Sequence, residues 1–600
     1  MEQRPDPAAF YAAQKEQLEK EAAVLRRNQS RFGWLRLGII LVTAVLAFWL
    51  FNESVGGGIA LCLGGIALFL FVVSRDADNN RQLVYTRRRL SDIEGELAAL
   101  RYEYRDRYDG ADHLPPQHPY AHDLDLFGPA SLFQYVNRAR SEQGRSRMAE
   151  CLLHALPVTS VEDRQAAVKE LAQQPEWGQR FQALAAEVPV TRTMEKKVRY
   201  WIGEPATHFT GAAWAWILPL YTCITVGTAL ATILDIIPES LFTGMLLLYI
   251  IFSFSLSKPA VKAYQYLSGI VGEVGTLSRL IDCVEAPGFQ ASLLKQLQEN
   301  LKTGGHPAHR EIRALQDILN RFDARLNVFV FLFLNAFLLW DVRQMRALNA
   351  WKARNRDQVP HWFSVLAEME VLTSFATLSF NQPRWAFPRW TEKHLTWESR
   401  SLGHPLIPAG QRVTSDFVLR GQGKIALVTG SNMAGKSTFL RSLGVNTVLA
   451  GAGAPVCAGF LELSPVELMS SMRIADNLAE NTSTFYAELK KLKDIISEVN
   501  RKAPVFVLLD EILRGTNSLD RHTGSEALMR QLIRQGAVAV IATHDLELAR
   551  LESEYPGALE NYHFDVQVAG EELYFDYRLK EGVCTSLNAS ILMKKIGIEL

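Results

Sequence analysis

The sequence predicts an α/β P-loop domain at the C-terminus, preceded by an all-α region that carries two transmembrane helical hairpins. Three observations predict it. Four long runs without a charged side chain fall in two pairs before residue 260. From about Ser401 onward, short β-rich runs alternate with glycine-bearing loops and helical stretches. One of those strands runs straight into a glycine-rich loop that opens a helix. At 600 residues the chain has room for several domains. Its 64 basic and 64 acidic side chains cancel, so no molecule-wide field draws it to nucleic acid, although a local DNA-binding surface stays open. The six cysteines, Cys62, Cys151, Cys223, Cys283, Cys457 and Cys584, are scattered without a CxxC pair, which argues for a reduced, intracellular setting and against a structural zinc site.

The apolar runs span residues 37–51, 55–73, 212–234 and 240–256. A helix needs about 20 residues to cross ~30 Å of hydrocarbon, which the second and third runs supply and the first and fourth approach. Trp34 and Trp49 flank the first run as interfacial anchors, and no signal-peptide cleavage pattern precedes it. The turns at 52–54 and 235–239 lack Lys and Arg, whereas Arg26, Arg27, Arg31, Arg36, Arg75, Arg81, Lys196, Lys197, Arg199, Lys258 and Lys262 crowd the opposite flanks. The positive-inside rule then places both termini and every large segment in the cytoplasm, with the chain a multi-pass protein of the inner or plasma membrane. A fifth run, 326–339, is shorter and contains Asn327 and Asn335, so it is expected as a buried helix of the soluble part.

Between the hairpins, Leu83, Leu90, Ile93, Leu97, Leu100 and Tyr104 recur at heptad-like spacing, which predicts an amphipathic helix that packs on its own domain or forms a dimer seam. Arg87, Arg88 and Arg89 could touch phosphates, form a solvated face or meet anionic lipid headgroups, the last favoured by their nearness to the membrane. The turn-rich stretch at 109–119 marks a boundary, and 132–153 reads as helix. A second boundary lies near 384–388.

Residues 424–429 form a buried-strand pattern leading into Gly430, Ser431, Asn432, Met433, Ala434, Gly435, Lys436, Ser437 and Thr438. This loop suits a nucleotide. Its glycines let backbone N–H groups turn toward phosphates at a helix N-terminus, Lys436 reaches the β and γ phosphates, and the Ser437 hydroxyl ligates Mg2+. A second apolar strand, 505–509, ends in Asp510 and Glu511, where Asp510 would hold the metal and Glu511 would orient the attacking water. A third, 537–543, delivers His544 at its C-terminal end, where it either contacts the γ-phosphate, the favoured reading, or caps the next helix.

These residues together resemble the MutS-type ATPases. The loop matches down to the Asn432–Met433 pair; 476–488 is similar to the family's signature loop and helix, 510–520 to its Walker B and D-loop, 542–544 to its switch histidine, and His404-Pro405 to the opening of its domain. A weaker likeness to the family's helical core covers 131–171, including Gly144, Arg145, Arg164 and Gln165. The resemblance implies an ABC-type ATPase using ATP and Mg2+ and working as a homodimer, with Ser483 acting across the interface and Asn432 beside Lys436 at the phosphates. It implies a MutS-core and lever-like character for the helical region and offers DNA as a partner. Taken with the apolar runs, it divides the chain into a cytoplasmic segment (1–32), hairpin 1 (33–75), a core-like region (76–210), hairpin 2 (211–257), a lever-like region (258–399) and the ATPase domain (400–600).

The departures bear on substrate. No Phe-x-Glu mismatch wedge precedes the first hairpin, little room exists between 258 and 327 for a DNA clamp, and the helix-turn-helix extension of the family is not found after Gly597. Arg412 stands where an aromatic usually stacks on adenine, a place guanidinium can fill, and Thr482 where arginine is common. From Ser401 to Leu600 there are 20 basic and 23 acidic residues, so the ATPase region has no phosphate-binding excess. The expected function is a membrane-anchored ATPase coupled to DNA in repair or recombination without mismatch reading. The alternative is an ATP-driven, transporter-like machine acting on a protein or lipid, against which stand the short hairpins without polar pathway residues.

Overall fold

The structure is a computed structural model and describes residues 6–206, 208–302, 306–393, 395–431, 434–473, 484–569 and 572–584. A mostly helical region runs to Asn381 and a mixed α/β region follows it. Two helices, Pro7–Phe51 and Val55–Leu100, form one antiparallel hairpin about twice as long as a bilayer requires. The boundaries expected at 32/33 and 75/76 fall inside these continuous helices. The amphipathic stretch beginning at Leu83 therefore belongs to the hairpin, and it packs on its own chain, with Leu83 and Ile93 buried.

The helix expected over 132–153 is two, Leu132–Val136 and Glu142–Leu153. The break has a cause. Arg138 turns its guanidinium to the carbonyls of Tyr135 and Val136 and to Glu96, and Ser141 caps the second helix through the N–H of Gly144 (2.9 Å). A second pair of apolar helices, Trp214–Ile233 and Glu239–Leu256, forms a shorter hairpin. Its members and both helices of the first hairpin are long and apolar enough to cross a membrane.

A fifth helix of that length and composition, Val359–Asn381, is instead the axis of the helical region, with 89% of its apolar window buried. Its charges are matched one by one. Glu370 accepts the N–H groups of Arg140 (2.9 Å) and Ser141 (3.1 Å), and Glu368 pairs with Arg147 (3.0 Å) and Arg164.

The α/β region contains β1 (Arg389–Trp390), β2 (Thr396–Leu402), β3 (Ser415–Arg420), β4 (Ile425–Thr429), β5 (Phe460–Leu463), β6 (Glu467–Ser471), β7 (Val505–Asp510), β8 (Val538–Thr543), β9 (Leu559–Ala569) and β10 (Glu572–Glu581). Six of them form a sheet in the order β10-β9-β4-β8-β7-β6, parallel except for β10, and the other four form a smaller sheet β1-β5-β2-β3. Every residue of β4, β7 and β8 is buried, which explains why these strands are apolar runs without alternation. The two regions are joined by Arg164, whose Nη1 donates to the carbonyl of Ala452 (3.1 Å), and by Asp123, which accepts from Ser470 (2.7 Å) and from the N–H of Arg473 (3.0 Å).

The run expected as a buried soluble helix, 326–339, departs from that reading. Val328–Leu338 is helical but lies against the second hairpin, with Phe329 78% and Phe333 61% exposed. The second hairpin has two buried hydroxyls, Thr225 and Ser253, each donating to backbone carbonyls, Thr225 to Phe337 (2.8 Å) and Ser253 to Ile250 (3.0 Å).

Candidate nucleotide site

Parallel strands end at one edge of the sheet, so β4, β7 and β8 bring the loops that follow them together. After β4 the chain turns through Gly430 at φ +146° and Gly435 at φ +109°, a region that penalises any Cβ; one on Gly430 would sit 2.9 Å from the carbonyl oxygen of Phe564. Gly435 is the N-cap of the helix Lys436–Gly451 and offers no side chain to its first-turn N–H groups, leaving them as anion donors. Lys436 folds back so that Nζ donates to the carbonyls of Gly430 (2.7 Å) and Ser431 (2.9 Å), 3.4 Å from Nε2 of His544. Burial pulls its amine down to about 8, against the opposing pull of Glu511 and Asp510. Ser437 and Thr438 are exposed on the cleft wall.

After β7, Glu511 and Leu513 adopt φ +51° and +60°, left-handed conformations that cost non-glycine residues of order 1 kcal/mol or more each. They are held from both sides. The N–H of Glu511 donates to the carbonyl of Ala542 (2.9 Å), and that of Leu513 to the buried carboxylate of Glu488, on the helix Thr484–Asn500. So positioned, Glu511 meets Nε2 of His544 (2.5 Å) and Nε of Arg514 (3.1 Å); the hydrogen bond from His544 holds its carboxyl below the usual range. Asp510, buried beside it, lies 3.8 Å from Arg514. Lys436, Glu511, Asp510 and His544 thus converge, and Ser437 opens the helix next to them.

A cleft of ≈ 500 Å³ leads away from this cluster, lined by His404, Ile407, Val413, Gly435, Lys436, Phe564 and Tyr577 among others. Arg412, expected over adenine, is absent from that lining. Its guanidinium donates to the carbonyl of Ile407 (2.7 Å) and to the Tyr102 hydroxyl, and lies over the Trp385 ring (5.6 Å). Tyr102 and Trp385 attract it because they offer an acceptor and a π face inside the joint between the two regions. The apolar and aromatic groups on the cleft are Leu402, Ile407, Val413, Phe439, Phe564 and Tyr577, none of which the sequence singled out. His404 is on the wall, its imidazole pushed down to about 4 by burial and the nearby Arg441 and Arg412. Glu488 and Arg514 were also missed; the signal for Glu488 was its place in the 476–488 segment. Asn432, Met433 and Ser483, with Thr482, lie outside the described residues.

The donor set fits a magnesium nucleotide: N–H groups without a side-chain cap, an ammonium, exposed hydroxyls on the first helical turn and a carboxylate at a strand end are oxygen-ligand and phosphate chemistry.

A family model, MutS domain V, matches residues 426–594. The chain is 34% identical over 226 residues to the DNA mismatch repair protein MutS of Chlorobium phaeovibrioides, covering 36% of this chain and 25% of that protein. It is 34% identical over 229 residues to the DNA mismatch repair protein MSH3 of Phaeosphaeria nodorum (36% and 20%), and 32% over 244 residues to MutS of Aquifex pyrophilus (40% and 28%). The chain thus spans between a fifth and about three tenths of the length of these curated relatives.

Proposed function

Since this chain is a MutS-family protein whose ATPase domain lies in its C-terminal region, we propose that it is a membrane-anchored ATPase whose nucleotide cycle is coupled to DNA without mismatch reading. The observation that carries the ATP-hydrolysing part of this reading is the meeting of Lys436, Glu511 and His544 at the ends of three adjacent parallel strands; coupling to DNA draws on the resemblance alone. Lys436 would leave the Gly430 and Ser431 carbonyls for the phosphates. The first-turn N–H groups would hold the same anion, and Ser437 and Asp510 would hold the metal. Bound MgATP supplies the phosphoanhydride to be cleaved and the charge that the ion neutralises. Glu511 orients the attacking water, with His544 keeping its carboxylate ionised and aimed. Asn432 acts with Lys436 on the phosphates and Ser483 on the site of a second copy in an ABC-type dimer, roles supported by the resemblance alone.

Four helices in two hairpins are the membrane anchor: each is long and apolar enough, and the protein itself buries little of them. The residues 52–54 and 235–239 between them are free of Lys and Arg, so the N-terminus and ATPase domain are cytoplasmic in an inner or plasma membrane. A second reading, work on a protein or lipid partner, draws on one observation. The first hairpin is tied directly to the end of the axial helix, through Tyr11 to Asn381 (2.9 Å) and Asn381 to Glu96 (2.7 Å), a route for force between membrane and ATPase.

Steady-state ATP hydrolysis by the detergent-purified chain, with and without homoduplex, mismatched and branched DNA at a stated low salt concentration, tests the proposal. Hydrolysis changed by DNA supports coupling. Hydrolysis indifferent to every DNA transfers the reading to a protein or lipid partner, and no hydrolysis at all removes it.

A further inference from the structure

The helix Val328–Leu338 has the sequence VFVFLFLNAFL, apolar on every face with Asn335 as its single polar side chain. A helix of that kind in water is normally buried all round. Here one face packs on the second hairpin, where Phe331 meets Phe254 at 5.9 Å. The opposite stripe, Leu326, Phe329, Val330 and Phe333, stays exposed, as do Leu247, Leu248 and Ile251 of the hairpin on which the helix packs. At 11 residues it is about 16 Å long, roughly half the hydrocarbon thickness, so it can enter a bilayer and cannot cross it.

Its C-terminal end carries the decisive feature. The helix breaks at Leu339, φ +47°, and the chain leaves at 78° in Trp340–Asn355. A helix end in lipid must have its last carbonyls satisfied by protein, because no water is there to do it. All four are. Asn335 O accepts from the Leu339 N–H (3.1 Å), Ala336 O from the Tyr221 hydroxyl (2.8 Å), Phe337 O from the Thr225 hydroxyl (2.8 Å) and Leu338 O from Nε of Arg343 (2.7 Å). The Asn335 amide itself is consumed, donating to Ser257 (3.1 Å) and accepting from the N–H of Asp341 (3.3 Å). Arg325, just before the helix, stacks on Phe331 and pairs with the buried Asp341 beyond the bend, so an ion pair inside the protein ties the two ends of the element together.

We infer that Val328–Leu338 is a re-entrant membrane element, its Leu326, Phe329, Val330 and Phe333 stripe seated among the acyl chains of the cytoplasmic leaflet beside the second hairpin. The inference rests on the proposed crossing of that hairpin. It gives the protein a lipid contact that leads, through the bend at Leu339, directly into its helical region.

The test separates the inference from the reading beneath it. In a chain with Cys62 and Cys223 replaced by serine, a nitroxide is attached singly at Phe329→Cys, Phe333→Cys, Phe252→Cys on the hairpin, and Ser553→Cys in the ATPase domain, and the protein is reconstituted in phosphatidylcholine and phosphatidylglycerol vesicles. All four side chains are exposed, and the substitutions at 252 and 333 each give up one ring contact, with Tyr221 (5.8 Å) and Phe337 (6.2 Å). Collision with lipid-soluble oxygen relative to a water-soluble nickel chelate is read by electron paramagnetic resonance. The expected result is an oxygen-to-nickel ratio at 329 and 333 several-fold above that at 553 and close to that at 252. A ratio at 329 and 333 equal to that at 553, with 252 still oxygen-rich, overturns the inference and leaves the hairpin in the membrane. Low collision with both reagents at 329 and 333 also overturns it, since protein then covers the stripe. Nickel access at 252 overturns both.

Discussion

The ATPase region and the helical region before it place their charges by opposite means. In the ATPase region Lys436, Glu511 and His544 hang from backbone: each follows a buried parallel strand, and two glycines and two left-handed residues aim them. In the helical region buried charges hold one another across long sequence separations. Glu96 of the first hairpin joins Arg138 (2.9 Å), Arg107 (2.9 Å) and Asn381 (2.7 Å), and burial, which by itself would raise its carboxyl, is overcome by Arg107 and Arg138 to bring it down to about 2. Charges set by backbone can be exchanged for the cost of the chemistry they perform. Charges set by partners cannot, because removal strands the partner.

Two substitutions of one glutamate each put that contrast to the measurement. Glu511→Gln keeps the shape and the φ +51° backbone but withdraws the charge, so hydrolysis should fall by about 10²–10⁴-fold while the melting temperature and ATP binding stay close to those of the parent. Single-turnover hydrolysis and a nucleotide titration check it, and undiminished turnover would remove Glu511 from the reaction. Glu96→Ala should do the reverse. It strands the buried Arg138 and the half-buried Arg107, a loss of about 3–5 kcal/mol, seen in denaturant unfolding. The Glu96 carboxyl is held below its unfolded value, so its contribution is present above about pH 4.3 and is lost as the pH falls from there toward about 2. A variant whose stability matches the parent at pH 7 would refute the partner-held account.

What was legible in the sequence follows the same line. Strand, glycine loop and helix are local in sequence, so residues 424–438, the acidic pair at 510–511 and His544 could be assigned before any fold was known. Partner-held features were not legible. Nothing local tells Val359–Asn381 from a membrane helix, since composition and length agree; only the helices packed around it, recruited from residues 130–200, bury it. The run at 326–339 misled in the opposite direction, because shortness was read as solubility and its carbonyl partners Tyr221 and Thr225 lie more than a hundred residues away. Arg412 was placed by alignment with a motif, whereas its guanidinium follows Tyr102, some 310 positions upstream.

A titration of Lys436 sharpens the backbone-set half of the comparison. With its amine at about 8, the side chain is mostly ammonium at pH 7 and mostly neutral at pH 9. A bound triphosphate favours the charged form, so binding above pH 8 must take up a proton and weakens as the pH rises. Between pH 7 and 9 the loss should be roughly tenfold, the ratio of the free ammonium fractions. Lys436→Arg should abolish the pH dependence over that range, since guanidinium stays charged. A flat profile for the parent would mean that the ammonium is not the group the phosphates meet.

The smallest effect on nucleotide is expected at Arg412, which decides between motif alignment and partner geometry. If guanidinium lay over adenine, Arg412→Ala would weaken ATP binding severalfold and leave GTP binding less affected. The structure instead commits both Nη2 contacts to Ile407 and Tyr102 within the joint. Arg412→Ala should therefore bind ATP within about twofold of the parent while losing about 1–2 kcal/mol of stability from two charged hydrogen bonds. Tyr102→Phe removes the same hydrogen bond from the other side of the joint, changing no residue of the ATPase region, and it should reproduce part of that loss. Arg412 and Tyr102 then form a double-mutant cycle whose coupling energy belongs to the joint alone, and a cycle with no coupling would return Arg412 to the cleft.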